Sequence, residues 1–220
     1  MIEGTDGSGK GTQTKLLIQK LKDLKVPVET TDFPQYDQPS SYFVSKYLRG
    51  EYGKADKVGP YRASVFYALD RYDKSFDIYR WLKDGKVVIS NRYVSANMGH
   101  QAGKISDKKK REEYLRWLNH FEYEIFHIPK PDMTILLNMP PAVAQSLVDK
   151  KSARKYIKGK KRDIHEADLN HLKKAHEAYL FVAKKYGWEI IDCVKDGRIL
   201  SIEEIQRLVF NKVNKILKIK

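Results

Sequence analysis

An α/β fold, in which a parallel sheet is covered by helices on both faces, is predicted by three observations. Short, largely apolar runs such as Val87-Val88-Ile89 and Met133 to Leu137 read as strands buried on both sides. Amphipathic helical runs alternate with them, as the crossovers of a parallel sheet require. The chain also opens on a short strand, a glycine-rich turn and a helix. No internal repeat or low-complexity linker interrupts the alternation, so residues 1–220 read as one domain with a substantial core.

Taken in order, Met1 to Glu3 make the first strand. Strands beneath such a turn usually run about five residues, so a native start upstream of Met1 is expected. Leu17, Leu21 and Leu24, at spacings of four and three with lysines between them, predict the first helix. Val26 to Phe33 is the second strand, stopped by Pro34. Pro60 opens a long helix whose apolar face carries Val65, Leu69, Tyr72, Phe76, Tyr79 and Leu82, and Gly85 closes it. After the strand at 87–89, Tyr114, Leu118, Phe121 and Ile125 mark another helix, and Met133 to Leu137 the next strand. Leu172, Ala175, Tyr179, Val182 and Tyr186 face one side of the penultimate helix, and Trp188 to Cys193 is the last strand. Ile202, Ile205, Leu208, Val209 and Leu217 mark the final helix.

Composition narrows the function classes. No apolar run approaches the roughly 20 residues of a membrane span, and there is no secretory signal. The single cysteine, Cys193, has no internal disulfide partner, which points to a reducing cytoplasm. A net charge of +14 fits either a nucleic-acid partner or a site for a highly anionic small molecule. The six histidines show no metal-ligand spacing.

The turn between the first strand and helix is Gly4-Thr5-Asp6-Gly7-Ser8-Gly9-Lys10-Gly11-Thr12. Its glycines let successive N–H groups point inward at phosphate oxygens, and the helix start adds the positive end of its dipole. Gly4, Gly7, Ser8, Gly9, Lys10, Gly11 and Thr12 are therefore candidate nucleotide-binding residues, with Lys10 reaching the β/γ-phosphates. The usual pattern places Ser or Thr directly after the lysine to ligate magnesium. Here Gly11 intervenes and Thr12 comes one place later. In parallel sheets ligands bind at the carboxyl ends of the strands. This rule directs attention to Asp32-Phe33-Pro34 and Ser90-Asn91-Arg92-Tyr93.

Three further segments, with that turn, resemble the thymidylate kinase family in order and spacing. They are Phe33-Pro34-Gln35-Tyr36; Tyr67-Ala68-Leu69-Asp70-Arg71; and Asn91-Arg92-Tyr93-Val94-Ser95-Ala96-Asn97-Met98-Gly99-His100-Gln101. The resemblance implies a P-loop NTPase three-layer sandwich built on a five-stranded parallel sheet, and a cytoplasmic homodimer. It also implies transfer of the γ-phosphoryl group of ATP, with Mg2+, to dTMP. The acceptor is already an oxyanion, so catalysis reduces to alignment and charge neutralisation.

By the same resemblance Arg71 and Arg92 clamp the acceptor phosphate, to which the Tyr36 phenol also hydrogen-bonds. Phe33 and Tyr67 supply aromatic faces for thymine, and the Asn97 amide reads its edge. His100 falls where the family places a bulky ring near the 2′ carbon of the sugar. Asp6 matches an acid near the sugar or metal at the reacting centre. The family's Asp-Arg pair after the third strand is Asn91-Arg92 here, and Gln35 stands where the family often has arginine.

From Lys150 to Arg162 runs a segment with eight basic residues, no acid and a central Gly159. It sits where the family has its lid, at about 150–165. Arg154 and Arg162 are the candidates for transition-state neutralisation, and Glu166 for a contact to the nucleotide sugar. Two rival readings stay open. One is a P-loop nucleic-acid-binding ATPase, disfavoured because the chain lacks basic–aromatic interleaving. The other is a kinase for another nucleoside monophosphate or for a deoxynucleoside, for which Asp32 is placed as a base.

Overall fold

The computed structural model describes residues 1–149 and 169–219. Among the described residues the strands and α-helices follow in this order: β1 (Ile2–Glu3), α1 (Lys10–Asp23), β2 (Val28–Asp32), α2 (Tyr42–Leu48), α3 (Ala55–Val58), α4 (Pro60–Lys83), β3 (Val87–Asn91) and α5 (Val94–His100). Then come α6 (Lys108–Asn119), β4 (Ile135–Asn138), α7 (Pro141–Asp149), α8 (Leu169–Tyr186), β5 (Glu189–Asp192), β6 (Val194–Lys195), β7 (Arg198–Ile199) and α9 (Ile202–Leu217).

β1 to β5 form one sheet in the order β2-β3-β1-β4-β5, with every pairing parallel. The five-stranded parallel sheet expected from sequence is therefore present. Side chains of a strand alternate between the two faces, and each face has its own helical layer. Ile2, Ile135 and Leu137 pack with Leu17 and Leu21 of α1 and Ile205, Val209 and Val213 of α9. Leu136, pointing the other way, packs with Tyr179 and Ala183 of α8. Val94, Met98, Leu115, Leu118 and Val182 join α5, α6 and α8 into a second cluster on that side. Parallel pairing sends all five carboxyl ends to one edge, where Glu3, Asp32 and Asn91 end their strands. Asp32 and Asn91 stand opposite each other in register.

Three details depart from the sequence reading. The apolar face assigned to α4 is turned outward: Leu69, Tyr72, Phe76, Tyr79 and Leu82 are exposed. α4 instead buries Ala63, Ser64, Ala68, Asp70, Arg71, Ser75 and Ile78. Small residues let the helix approach closely, and the two charged ones are buried with partners. The helix after Lys108 does not end regularly: Phe126 N–H donates to the carbonyl of Phe121, five residues back, at 3.0 Å. This wide turn, over His120–Ile125, carries Glu122 into the core. β6 and β7 form an unpredicted antiparallel hairpin. Its turn residues Asp196 (φ 52°) and Gly197 (φ 74°) are left-handed, the Asp-Gly chemistry a two-residue turn demands.

Candidate functional site

A cleft of about 750 Å³ opens at the carboxyl ends of β1, β2 and β3. The glycine-rich turn forms one wall. Gly7 and Gly9 both have φ of 87°. A Cβ on Gly7 would overlap the Ala144 carbonyl, and one on Gly4 would lie 2.6 Å from Ser8 Oγ and 2.8 Å from the Leu137 carbonyl oxygen. At Gly4 and Gly7 the turn is thus packed against its own scaffold and admits no side chain, whereas Gly9 and Gly11 face open space. No side chain caps the start of α1 at Gly9, which leaves its first N–H groups for an anion. The buried hydroxyls of Thr5 and Ser8 have no hydrogen-bond partner among the described residues. Lys10 Nζ donates to the Thr5 carbonyl at 2.8 Å, folded over the turn it serves.

Arg92 dominates the opposite wall. Its φ of 65° is a left-handed conformation rare outside glycine, and it turns the chain sharply between β3 and α5. The guanidinium donates from Nη2 to Asp6 Oδ1 at 2.5 Å. Nη1 lies 3.1 Å from His100 Nε2, 3.4 Å from the Tyr179 hydroxyl and 4.0 Å from Glu3 Oε2. Burial works against its charge, yet Asp6, Tyr179 and Glu3 hold its pKa well above the ordinary value. Burial, and then Arg92, keep His100 well below the usual imidazole range. The Arg92 guanidinium can only donate, so Nε2 of the ring accepts from it, while Nδ1 lies 3.4 Å from His171 Nε2.

The remaining predicted residues divide by surroundings. Phe33, Tyr36, Tyr67 and Asn97 all line the cleft. Phe33 is tilted against Tyr93 with ring centroids 5.7 Å apart, and Tyr67 meets Tyr47 edge-on at 6.2 Å. The Asn97 amide donates to the Ser64 carbonyl at 3.4 Å. Arg71 also borders the cleft, but Glu122 takes two of its nitrogens, Nε at 2.9 Å and Nη2 closer still. Against the cost of burial, Glu122 holds the Arg71 pKa above its usual value. Only Nη1, 3.4 Å from the Tyr93 carbonyl, is outside that pairing. Gln35 is tied to α4: its backbone N–H donates to the Asp70 carboxylate at 2.9 Å, and its side-chain amide to the Asp70 carboxylate and carbonyl at 3.2 Å. Arg154, Arg162, Glu166 and the expected lid lie outside the described residues.

Sequence reasoning missed Glu3. Its carboxylate is fully buried and accepts from the Tyr93 N–H, the Ser95 hydroxyl and the Tyr179 hydroxyl. An acid in a strand buried on both faces, one residue before Gly4, was a readable signal. Glu122 carried no such signal, because only the wide turn brings it to Arg71. Gln101 is a further residue of the site without a sequence signal of its own: it is 1% exposed, borders the cleft, and its Oε1 has no partner among the described residues. Asp32 has a neighbour that its reading as a base does not include. Asn91 Nδ2 donates to its Oδ1 at 2.9 Å, and burial raises its pKa more than Asn91, Arg92 and Lys10 lower it.

Comparison with known proteins agrees with this geometry. A family profile described as thymidylate kinase matches residues 2–205. The "Probable thymidylate kinase 1" of Saccharolobus solfataricus is 31% identical over 220 residues, covering 95% of this chain and 97% of that protein. The "Thymidylate kinase" of Plasmodium falciparum is 27% identical over 216 residues, with 98% and 89% covered. That of Mycobacterium tuberculosis is 29% identical over 191 residues, with 85% and 86% covered. The glycine-rich turn, the Arg92 wall that faces it and this similarity over nearly the whole length agree: the chain belongs to the thymidylate kinase family.

Proposed function

We propose that ATP and dTMP meet in this cleft, and that phosphoryl transfer is carried by the side chains that line it. The activity is that of the family, ATP-dependent phosphorylation of dTMP to dTDP. One observation supports the assignment most: Lys10, at the start of α1, and Arg92, just after β3, line a single cleft together with the glycine-rich turn. Lys10 stabilises the β/γ-phosphates. Arg92, with Arg71 through Nη1, grips the acceptor phosphate, joined by the Tyr36 phenol. Phe33 and Tyr67 sandwich the base, Asn97 reads its edge, and His100 faces the sugar. Arg154 and Arg162 of a lid at 150–165 neutralise the migrating group, and Glu166 approaches the sugar. Each role is electrostatic or positional, as this chemistry requires.

The donor set fits Mg2+. Asp6 and Asp32 line the cleft, and Asn91 Oδ1 is a buried oxygen without a described partner. No cluster of three ligating side chains exists among the described residues. Magnesium commonly takes one or two protein oxygens and fills its shell with phosphate and water. When bound it neutralises phosphate charge.

We further propose a homodimer of single-domain, cytoplasmic subunits. The outward stripe of Leu69, Tyr72, Phe76 and Tyr79 is a row of large apolar side chains that a second copy would cover, Phe76 being 63% exposed. Cys193 is a buried free thiol, in keeping with a reducing compartment. Among the described residues no helix is long and apolar enough to cross a membrane.

The test is phosphoryl transfer from ATP and magnesium to dTMP, dUMP, UMP, CMP, AMP and thymidine. Strong preference for dTMP is expected. Preference for AMP or thymidine would hand the cleft to a different acceptor. Light scattering at two concentrations tests the dimer, and a monomer at both would overturn it.

A further inference from the structure

The described wall of the cleft carries two carboxylates, Asp6 and Asp32, and they differ in what already neutralises them. Asp6 is ion-paired with Arg92 at 2.5 Å. Asp32 has no salt bridge among the described residues; its hydrogen-bond partner is the neutral amide of Asn91 at 2.9 Å. That bond also fixes the amide. Nδ2 must face the carboxylate, because an amide oxygen there would meet only an acceptor. The amide oxygen is left buried and without a partner among the described residues, beside the carboxylate.

The pairing is built into the sheet. Asp32 and Asn91 are the last residues of β2 and β3 and stand opposite each other in register, so no long loop holds them together. Both line the same cleft as Lys10 and the glycine-rich turn. A carboxylate oxygen and an amide oxygen side by side are hard donors, the type that binds magnesium directly or through its waters.

We infer that Asp32 and Asn91 act as one donor pair for the divalent cation that accompanies ATP, Asp32 supplying the charge and Asn91 its oxygen. Asp6 is then left to Arg92 and positions that side chain. The inference rests on the nucleotide-binding reading of the cleft and adds to it the residues that hold the metal.

The test is Mn2+ binding with β,γ-methylene ATP, followed by electron paramagnetic resonance and without turnover. Asp32→Asn is expected to weaken Mn2+ binding about tenfold while leaving metal-free binding of the analogue unchanged. The exchange variant Asp32→Asn/Asn91→Asp, which returns one carboxylate to the pair, is expected to regain most of the loss. Asp32→Ser, a smaller replacement, repeats the single-variant measurement should the asparagine disturb the fold. Unaltered Mn2+ affinity in both single variants would overturn the inference, as would a loss that the exchange does not repair. Failure of the unmodified protein to bind the analogue at all would instead strike the nucleotide-binding reading.

Discussion

Gly99 of α5 lies against the ring of Tyr179 on α8: a Cβ at position 99 would stand inside 3.0 Å of three ring carbons. The missing side chain therefore sets how closely the two helices approach. The Tyr179 hydroxyl donates to Glu3 at 2.9 Å and lies 3.4 Å from Arg92, so packing and electrostatics meet at one ring. Gly99→Ala should cost about 1–3 kcal/mol of stability by overpacking, measured by urea denaturation. It should also lower kcat, since the displaced ring drags on the Glu3–Arg92 arrangement. A variant as stable and active as the parent would show that the ring can move freely.

Arg92→Ala should reduce transfer to dTMP by about a thousandfold, while affinity for ATP, measured by calorimetry, stays close to that of the parent. Asp6, within the turn, would lose its 2.5 Å partner, but the Lys10 bond to the Thr5 carbonyl and the packing of Gly4 and Gly7 do not involve Arg92. Full activity in this variant would remove Arg92 from the acceptor site.

Glu122→Ala leaves the Arg71 guanidinium buried and uncompensated. It should destabilise the protein by about 3–5 kcal/mol, whereas removing both charges with Arg71→Met/Glu122→Leu should recover much of that loss. Equilibrium unfolding of the two variants and the parent gives the comparison. Equal losses in the single and double variants would mean that side-chain packing, not the ion pair, sets the energy.

His100 carries a pH dependence with a definite sign. Its folded-state pKa is depressed, chiefly by burial and then by Arg92. Below about 6.5, the ordinary imidazole value, the unfolded chain takes up a proton that the folded chain refuses. Stability therefore falls as pH drops through that value, and the contribution is absent at higher pH. His100→Phe should flatten the decline in Tm between pH 7 and pH 5. An unchanged slope would place the acid sensitivity elsewhere.

The alternation of apolar strands and amphipathic helices made the sheet legible, because burial on two faces leaves a strong compositional mark. The cleft was legible wherever glycine or arginine sat at a strand end. The orientation of α4 was not. Its sequence offers one stripe of large apolar residues and another of alanine, serine, Asp70 and Arg71, and periodicity alone favours the wrong one. Close approach by its small residues, the pairing of Arg71 with Glu122, 51 residues away, and the bonds of Asp70 to Gln35 and Ser40 make the polar stripe the inner one. The β6–β7 hairpin was readable from Asp196-Gly197 and was overlooked because its strands are two residues long.

The place of β1 in the sheet has a consequence for how the protein comes into being. Ile2 pairs with Asn91 on one side and with Ile135 on the other. The second residue of the chain thus waits for the hundred-and-thirty-fifth before its strand is flanked. Contacts between segments so distant along the chain close slowly, because the loop entropy is lost before the pairing repays it. A nascent chain that has not yet emitted β4 holds the glycine-rich turn but no completed wall behind it. Capacity to hold a nucleotide should therefore arrive late and abruptly during synthesis, although the glycine-rich turn is made well before β4.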